Sequence, residues 1–285
     1  MKPVFHDRSY SFQGGLRLEL GRRTLIMGIL NVTPDSFSDG GRYDAVEAAV
    51  ERARQMESEG ADLIDIGGES TRPGHDPVPL EEELRRVIPA VQAVRQAVRL
   101  PISVDTYKAE TARQALEAGA HLINDVWGFK RDQRIAAIAA EYGCPVILTH
   151  NRERRDYADF VPDVIGDLLA SVSRAKSAGV AEENIWLDPG IGFAKEYDEN
   201  VELMGRLDEI VRLGYPVLLG TSRKTFIRRT LNVEAWDALE GTAATQAVGI
   251  AQGCQIIRVH DVKQMKRVAA MTDAIVYRQA GRSGL

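Results

Sequence analysis

Gly253-Cys-Gln-Ile-Ile-Arg-Val-His-Asp261 contains the unit from which the chain is built: a glycine, a short apolar run and a polar end. Gly60-Ala-Asp-Leu-Ile-Asp-Ile-Gly67 and Gly119-Ala-His-Leu-Ile-Asn-Asp125 repeat it. The glycine suits the left-handed position just past a helix C-terminus. A β-branched run this short suits a strand of a parallel sheet, buried on both faces. Repetition of helix, glycine and buried strand points to an α/β fold.

Reading outward on the same pattern predicts strands at Leu25–Leu30, Leu63–Ile66, Ile102–Val104, Leu122–Asn124, Val146–Thr149, Ile185–Leu187, Val217–Leu219 and Ile256–Val259. Eight such segments predict a (β/α)8 TIM barrel. Amphipathic stretches such as Ala45–Glu59, Leu80–Val98, Thr111–Ala118, Val164–Ala178, Val201–Leu213 and Ala238–Gln252 carry apolar residues at helical spacing and can cover the outside of the sheet. A doubly wound open sheet is the alternative, because periodicity does not reveal closure. Ahead of the first strand, Ser11-Phe-Gln-Gly-Gly-Leu-Arg-Leu-Glu-Leu20 alternates around a Gly-Gly turn. It predicts a β-hairpin within residues 1–22 that caps the bottom of the barrel. With no linker or low-complexity segment, residues 1–285 read as one domain.

The composition, 44% hydrophobic and 27% charged, is that of an ordinary globular enzyme. No apolar run approaches the roughly 20 residues of a transmembrane helix, and Met1 to Tyr10 lacks the apolar stretch of a signal peptide. A cytoplasmic protein without membrane contact is expected. A formal charge of −5 gives no reason to expect nucleic-acid binding. Cys144 and Cys254 each follow a glycine at a strand entry, outside any CxxC or zinc spacing, and read as small buried residues.

In α/β barrels the functional groups stand at the C-terminal ends of strands and in the loops that follow. That rule selects Asn31, Asp105, Asn124 and Asp188 as acceptors at one mouth, with Gly220-Thr-Ser-Arg-Lys-Thr-Phe226 and Arg258-Val-His260 as donors. Taken alone, each Asp or Asn also suits the N-cap of the next helix; the set is harder to read that way. Buried acceptors are costly unless something donates to them, so a cluster implies a ligand rich in N–H donors, for which a pterin ring is suited. Helix N-termini and the last two barrel loops favour anions. His150 is left open. His6, His75 and His121 fall outside the strand-end pattern and read as surface or packing residues.

Asn31-Val-Thr-Pro-Asp-Ser-Phe-Ser-Asp-Gly-Gly41 and Asp65-Ile-Gly-Gly-Glu-Ser-Thr-Arg-Pro-Gly74 resemble the two signature loops of dihydropteroate synthases. Ser103-Val-Asp-Thr106, Ile123-Asn-Asp125, Leu187-Asp-Pro-Gly-Ile-Gly-Phe193, Ser222-Arg-Lys224 and Arg258-Val-His260 match further motifs of that family in order. The resemblance implies condensation of a pterin diphosphate with p-aminobenzoate on a TIM barrel, in a homodimer that sulfonamides target. It implies that Asp105, Asn124, Asp188 and Lys224 hold the pterin, with Arg258 against its ring. Asn31, Arg258 and His260 would grip the diphosphate, Asn31 also helping to bind Mg²⁺. Phe37, Asp39, Thr71, Arg72 and Pro73 would come from the two early loops, and Phe193 and Thr225 would border the p-aminobenzoate pocket. Lys224, Asp39, Arg258 and His260 are the implied catalytic set.

Two departures stand out: Thr225 where the family often has Ser, and Thr149 where Met is expected before His. Neither removes a group the chemistry requires. A corrinoid-dependent pterin methyltransferase would lack the Thr33-Pro-Asp-Ser-Phe37 loop, and an inactive paralogue would show losses at the anion-binding positions. Gly40-Gly41 and Gly67-Gly68 suggest mobile loop supports, so the loops are expected to close after the pterin binds, with p-aminobenzoate second.

Overall fold

A computed structural model of the chain describes residues 6–33, 42–69 and 77–277. A hairpin comes first, β1 (Arg8–Ser11) pairing antiparallel with β2 (Arg17–Leu20). Eight parallel strands follow: β3 (Leu25–Asn31), β4 (Leu63–Gly67), β5 (Ile102–Asp105), β6 (Leu122–Asp125), β7 (Val146–Thr149), β8 (Ile185–Asp188), β9 (Leu218–Leu219) and β10 (Ile256–Val259). Their order is β8-β7-β6-β5-β4-β3-β10-β9. Leu187 bridges to Val217 between the two remaining edges, its N–H donating to Pro216 O at 2.9 Å. The sheet is therefore closed, as the barrel reading expects and the open-sheet alternative does not.

Helices alternate with the strands: α1 (Arg42–Glu59), α2 (Leu80–Ala97), α3 (Ala109–Glu117), α4 (Arg134–Tyr142), α5 (Phe160–Ser177), α6 (Tyr197–Gly205), α7 (Leu207–Val211), α8 (Thr225–Leu231), α9 (Leu239–Gln252) and α10 (Val262–Val276). Gly60, Gly119 and Gly253, the glycines of the repeating unit, have φ of 95°, 108° and 109°. Several boundaries differ from the sequence reading, among them the seventh barrel strand, expected over Val217–Leu219 and found at Leu218–Leu219. The single helix expected over Val201–Leu213 breaks at Arg206 (φ −126°, ψ 23°), next to Gly205, a poor helix former. Several strands also run one residue further than expected, because the ladder takes in the polar ends: Asn31 pairs with Gly67, Gly67 with Asp105 and Thr149 with Asp188.

Side chains alternate along each strand, so every second residue faces the barrel axis. Ile26, Ile64, Val104, Ile123, Leu148 and Ile257 point outward into the core beneath the helices. Leu25, Met27, Leu63, Leu122, Ile147, Trp186, Leu218 and Ile256 form a second cluster inside the barrel. The hairpin completes that cluster with Tyr10, Leu18 and Leu20, and so closes the N-terminal end. Trp186, fully buried, donates from Nε1 to Tyr10 Oη at 2.8 Å, and Tyr10 Oη donates to Glu183 O at 2.6 Å. His121 packs against Phe12 and accepts the Ile102 N–H at Nδ1, a packing role; its burial lowers its pKa to about 4. Both cysteines are free and buried.

The floor should therefore carry measurable stability. Trp186→Ala is expected to cost about 3–5 kcal/mol through the cavity it leaves. Tyr10→Phe is expected to cost about 1–3 kcal/mol, because the indole N–H loses its acceptor inside the core. Urea midpoints check both; a Tyr10→Phe midpoint equal to wild type would show that the hairpin hydroxyl contributes nothing to the floor.

Candidate active site

Towards the C-terminal ends of the strands the inward positions change from apolar to polar. The parity that places Leu63 inside places Asp65 inside; Leu122 is followed by Asn124, Trp186 by Asp188, and Ile256 by Arg258. Asn124, Asp188 and Arg258 line a cavity of 520 Å³, while Asp65 is fully buried and does not line it. Every site residue expected from the sequence that lies among the described residues lines it: Asn31, Asp105, Asn124, Asp188, Phe193, Lys224, Thr225, Arg258 and His260. Phe37, Asp39, Thr71, Arg72 and Pro73 lie outside the described residues.

Arg258 organises the centre. Its Nε donates to Asp65 Oδ2 at 2.6 Å and its Nη2 to Asp105 Oδ2 at 2.7 Å, and Asn124 Nδ2 donates to the same Asp65 oxygen at 2.9 Å. One cation is thus shared between two buried carboxyl groups. Burial is the largest influence on Asp105 and pushes its carboxyl up to about 7, with Arg258 pulling it down and the charge of Asp65 adding to the rise. At Arg258 burial disfavours the cation, but Asp65 and Asp105 outweigh it and the guanidinium is raised above its ordinary value. Asp65 Oδ1 and Asp105 Oδ1 are buried with no hydrogen-bond partner among the described residues. Asp105 lines the cavity, so its free oxygen calls for a donor from a ligand.

Across the cavity Asp188 Oδ1 accepts the Gly190 N–H at 2.7 Å. Burial raises its carboxyl, while that N–H and the charges of Lys224 and Arg258 oppose the rise. Lys224, at the N-cap of α8, lies with Nζ 3.9 Å from the centre of the Phe193 ring. Its stem passes so close to Gly192 (φ 85°) that a Cβ there would lie 3.0 Å from Lys224 Cδ. His260 Nδ1 is 2.9 Å from Ser222 Oγ, which also accepts the His260 N–H at 3.2 Å. Arg223, with φ of 59°, is held on Asp261 at 2.6 Å and 3.1 Å, so Lys224 rather than Arg223 meets Phe193.

Sequence reasoning missed Asp65 and Lys195. Asp65 opens the second signature stretch at its strand end, where the sequence reading gives it no role, although its parity with Leu63 marks it as inward-facing. Lys195, in the loop between β8 and α6, is 8% exposed and lines the cavity, and no strand-end rule reaches it. Burial lowers its ammonium to about 7, with Asp188 opposing the shift. His150, left open by the sequence, is buried between Lys195 and Asp167; burial first, and then the charge of Lys195, lower its imidazole to about 3. Thr149 is a buried part of the cavity wall. Among the described residues no three His, Cys, Asp or Glu side chains are grouped to hold a metal ion.

The family described as pterin binding enzymes matches residues 27–260. A dihydropteroate synthase of Bacillus subtilis (strain 168) is 54% identical over 259 residues, covering 91% of this chain and 91% of that protein. A dihydropteroate synthase structure from Clostridium difficile, obtained in the presence of pteroic acid, superimposes with a TM-score of 0.89 at 49% identity, covering 91% of this chain and 98% of the other. A Xanthomonas albilineans dihydropteroate synthase with 4-aminobenzoic acid gives 0.89 at 40% identity, covering 95% of this chain and 100% of the other.

Proposed function

The chain belongs to the dihydropteroate synthase family, and we propose that it condenses 6-hydroxymethyl-7,8-dihydropterin diphosphate with p-aminobenzoate to give 7,8-dihydropteroate and diphosphate. The observation that carries this reading is the set of buried acceptors, Asp105, Asn124 and Asp188, that line the cavity beside Arg258, with Asp105 Oδ1 lacking a partner among the described residues. A pterin supplies donors to the acceptors that line the cavity, its 2-amino group and neighbouring ring N–H being a pair that one carboxylate accepts together. In this reading Asp188 takes that pair, Asp105 and Asn124 take the remaining ring groups, Lys224 donates to the carbonyl oxygen and Arg258 lies against the ring.

Displacement breaks the bond between the exocyclic methylene and the diphosphate oxygen, and the aryl amine forms the new C–N bond and sheds one proton. The amine is already neutral at pH 7, so no strong base is needed. Negative charge develops on the departing diphosphate, and Asn31, Arg258 and His260 are assigned to it, with Ser222 fixing the His260 ring. Phe193 and Thr225 border the amine substrate; Phe37, Asp39, Thr71, Arg72 and Pro73 are assigned to the loops that exclude water from a dissociative, cation-like transition state. Mg²⁺ fits a site of this kind: Asn31 is half-buried at the cavity, no preformed acidic cage stands among the described residues, and Mg²⁺ is commonly held by few protein ligands plus substrate phosphates. When bound, the ion neutralises charge on the leaving diphosphate.

We place the protein in the cytoplasm, as a homodimer. No helix among the described residues is long and apolar enough to cross a membrane. Val248 on α9, and Met271 and Ile275 on the adjoining α10, are exposed apolar side chains suited to a subunit contact.

Turnover with the pterin diphosphate and p-aminobenzoate should release one diphosphate per dihydropteroate; no release by pure protein with Mg²⁺ would overturn the reading. Asp188→Ala should stay folded and lose pterin affinity on the order of a hundredfold or more, as two charge-assisted bonds disappear. Calorimetric titration checks this, and unchanged affinity would remove Asp188 from the pterin site. The pH dependence has a definite sign. With its carboxyl near 7, Asp105 is protonated in the free enzyme at lower pH, and donors on the pterin select the carboxylate. Affinity should rise with pH by up to about tenfold per unit and level off above neutrality. Asp105→Asn should flatten this slope, and an identical slope in the variant would contradict the assignment.

A further inference from the structure

Lys195 Nζ lies 2.8 Å from His150 Nδ1, 2.9 Å from Gly190 O and 3.0 Å from Phe193 O. Below pH 7 Lys195 is an ammonium, which has three N–H groups and no acceptor, so these three contacts use all of them. His150 Nδ1 must then accept, which places the proton of the neutral imidazole on Nε2. Nε2 faces Asp167 Oδ2 at 3.1 Å, and Asp167 is held in turn by Arg152 Nε at 2.6 Å. A buried chain therefore runs from the surface carboxylate of Asp167 through His150 to the turn after β8.

That turn has a shape it would not keep unaided. Gly190 and Gly192 have φ of 69° and 85°, and Ala194 has φ of 48°, a strained value for a residue with a Cβ. A side chain at Gly190 would run into His150 O at 1.9 Å. Ties hold the turn at several points: Asp188 on the Gly190 N–H, Asn200 on the Gly192 N–H at 2.6 Å, and Tyr157 Oη on Ala194 O at 2.8 Å. Lys195 spans it, binding the carbonyls at Gly190 and Phe193 with one cation, and Phe193 is the ring that meets Lys224.

We propose that Lys195, braced by His150 and Asp167, is a positioning residue that sets the Gly190–Phe193 turn and thereby the p-aminobenzoate side of the site. The proposal rests on the reading that Phe193 borders p-aminobenzoate. Lys195 acts through the turn, so its loss separates the two substrates. Lys195→Met is expected to raise KM for p-aminobenzoate about tenfold, the loss of roughly one charge-assisted hydrogen bond, and to weaken pterin binding clearly less, since Asp188 keeps its strand-end position. An unchanged KM, or parallel loss of both affinities, would overturn the positioning role. Phe193→Ala separates the two levels: an unchanged KM there overturns the pocket assignment and this proposal with it. A raised KM in Phe193→Ala beside an unchanged KM in Lys195→Met overturns the positioning role alone. Nitrogen-15 NMR of the wild-type imidazoles gives a readout that needs no variant. His150 is expected to be neutral at pH 6 with its proton on Nε2, and a proton on Nδ1, or an imidazolium, would overturn the proposal even if Lys195→Met does not fold.

Discussion

One guanidinium between two buried carboxyl groups is the constraint on which this site depends. Arg258 reaches Asp65 and Asp105 from β10, across the barrel axis, and Asn124 leans on the same Asp65 oxygen. Removing one partner from such a group leaves a buried charge without compensation, which is far more costly than the net worth of the pair. The arrangement thus holds four strands' functional groups in one geometry while leaving two carboxyl oxygens without partners among the described residues. A site of this kind is prepared for a donor-rich ring before the ring arrives.

The barrel makes this possible by dividing its interior. The same inward register that carries Leu63, Leu122, Trp186 and Ile256 at the floor carries Asp65, Asn124, Asp188 and Arg258 at the mouth. The hairpin covers the apolar end, so the polar end alone is left for a ligand. In the proposed reading rigid strand ends hold the pterin side, whereas the amine side rests on a turn to which Lys195, His150 and Asp167 are tied.

Much of this was legible in the sequence because parallel strands buried on both faces leave short, continuous apolar runs, each ending in a residue that cannot be there for packing. Asp105, Asn124 and Asp188 were found that way, and Arg258 as a cation inside an apolar strand run two residues before His260. Asp65 was not, since it was read only as the start of a signature stretch, and it is its parity with Leu63 that shows which way it faces. Lys195 was beyond reach for another reason: its burial comes from the fold of a turn and from His150, a contact 45 residues away in the chain. The break at Arg206 escaped because apolar spacing continues across it. Phe37, Asp39, Thr71, Arg72 and Pro73 rest on the family resemblance, as they lie outside the described residues.

The sharing of Arg258 is tested most directly by following the Asp105 carboxyl by carbon-13 NMR in wild type and in Asp65→Asn. The Asp65 charge helps to raise Asp105, and without it Arg258 serves Asp105 alone. The account predicts a wild-type midpoint near 7 that moves clearly down in the variant. A midpoint unchanged by Asp65→Asn would contradict it.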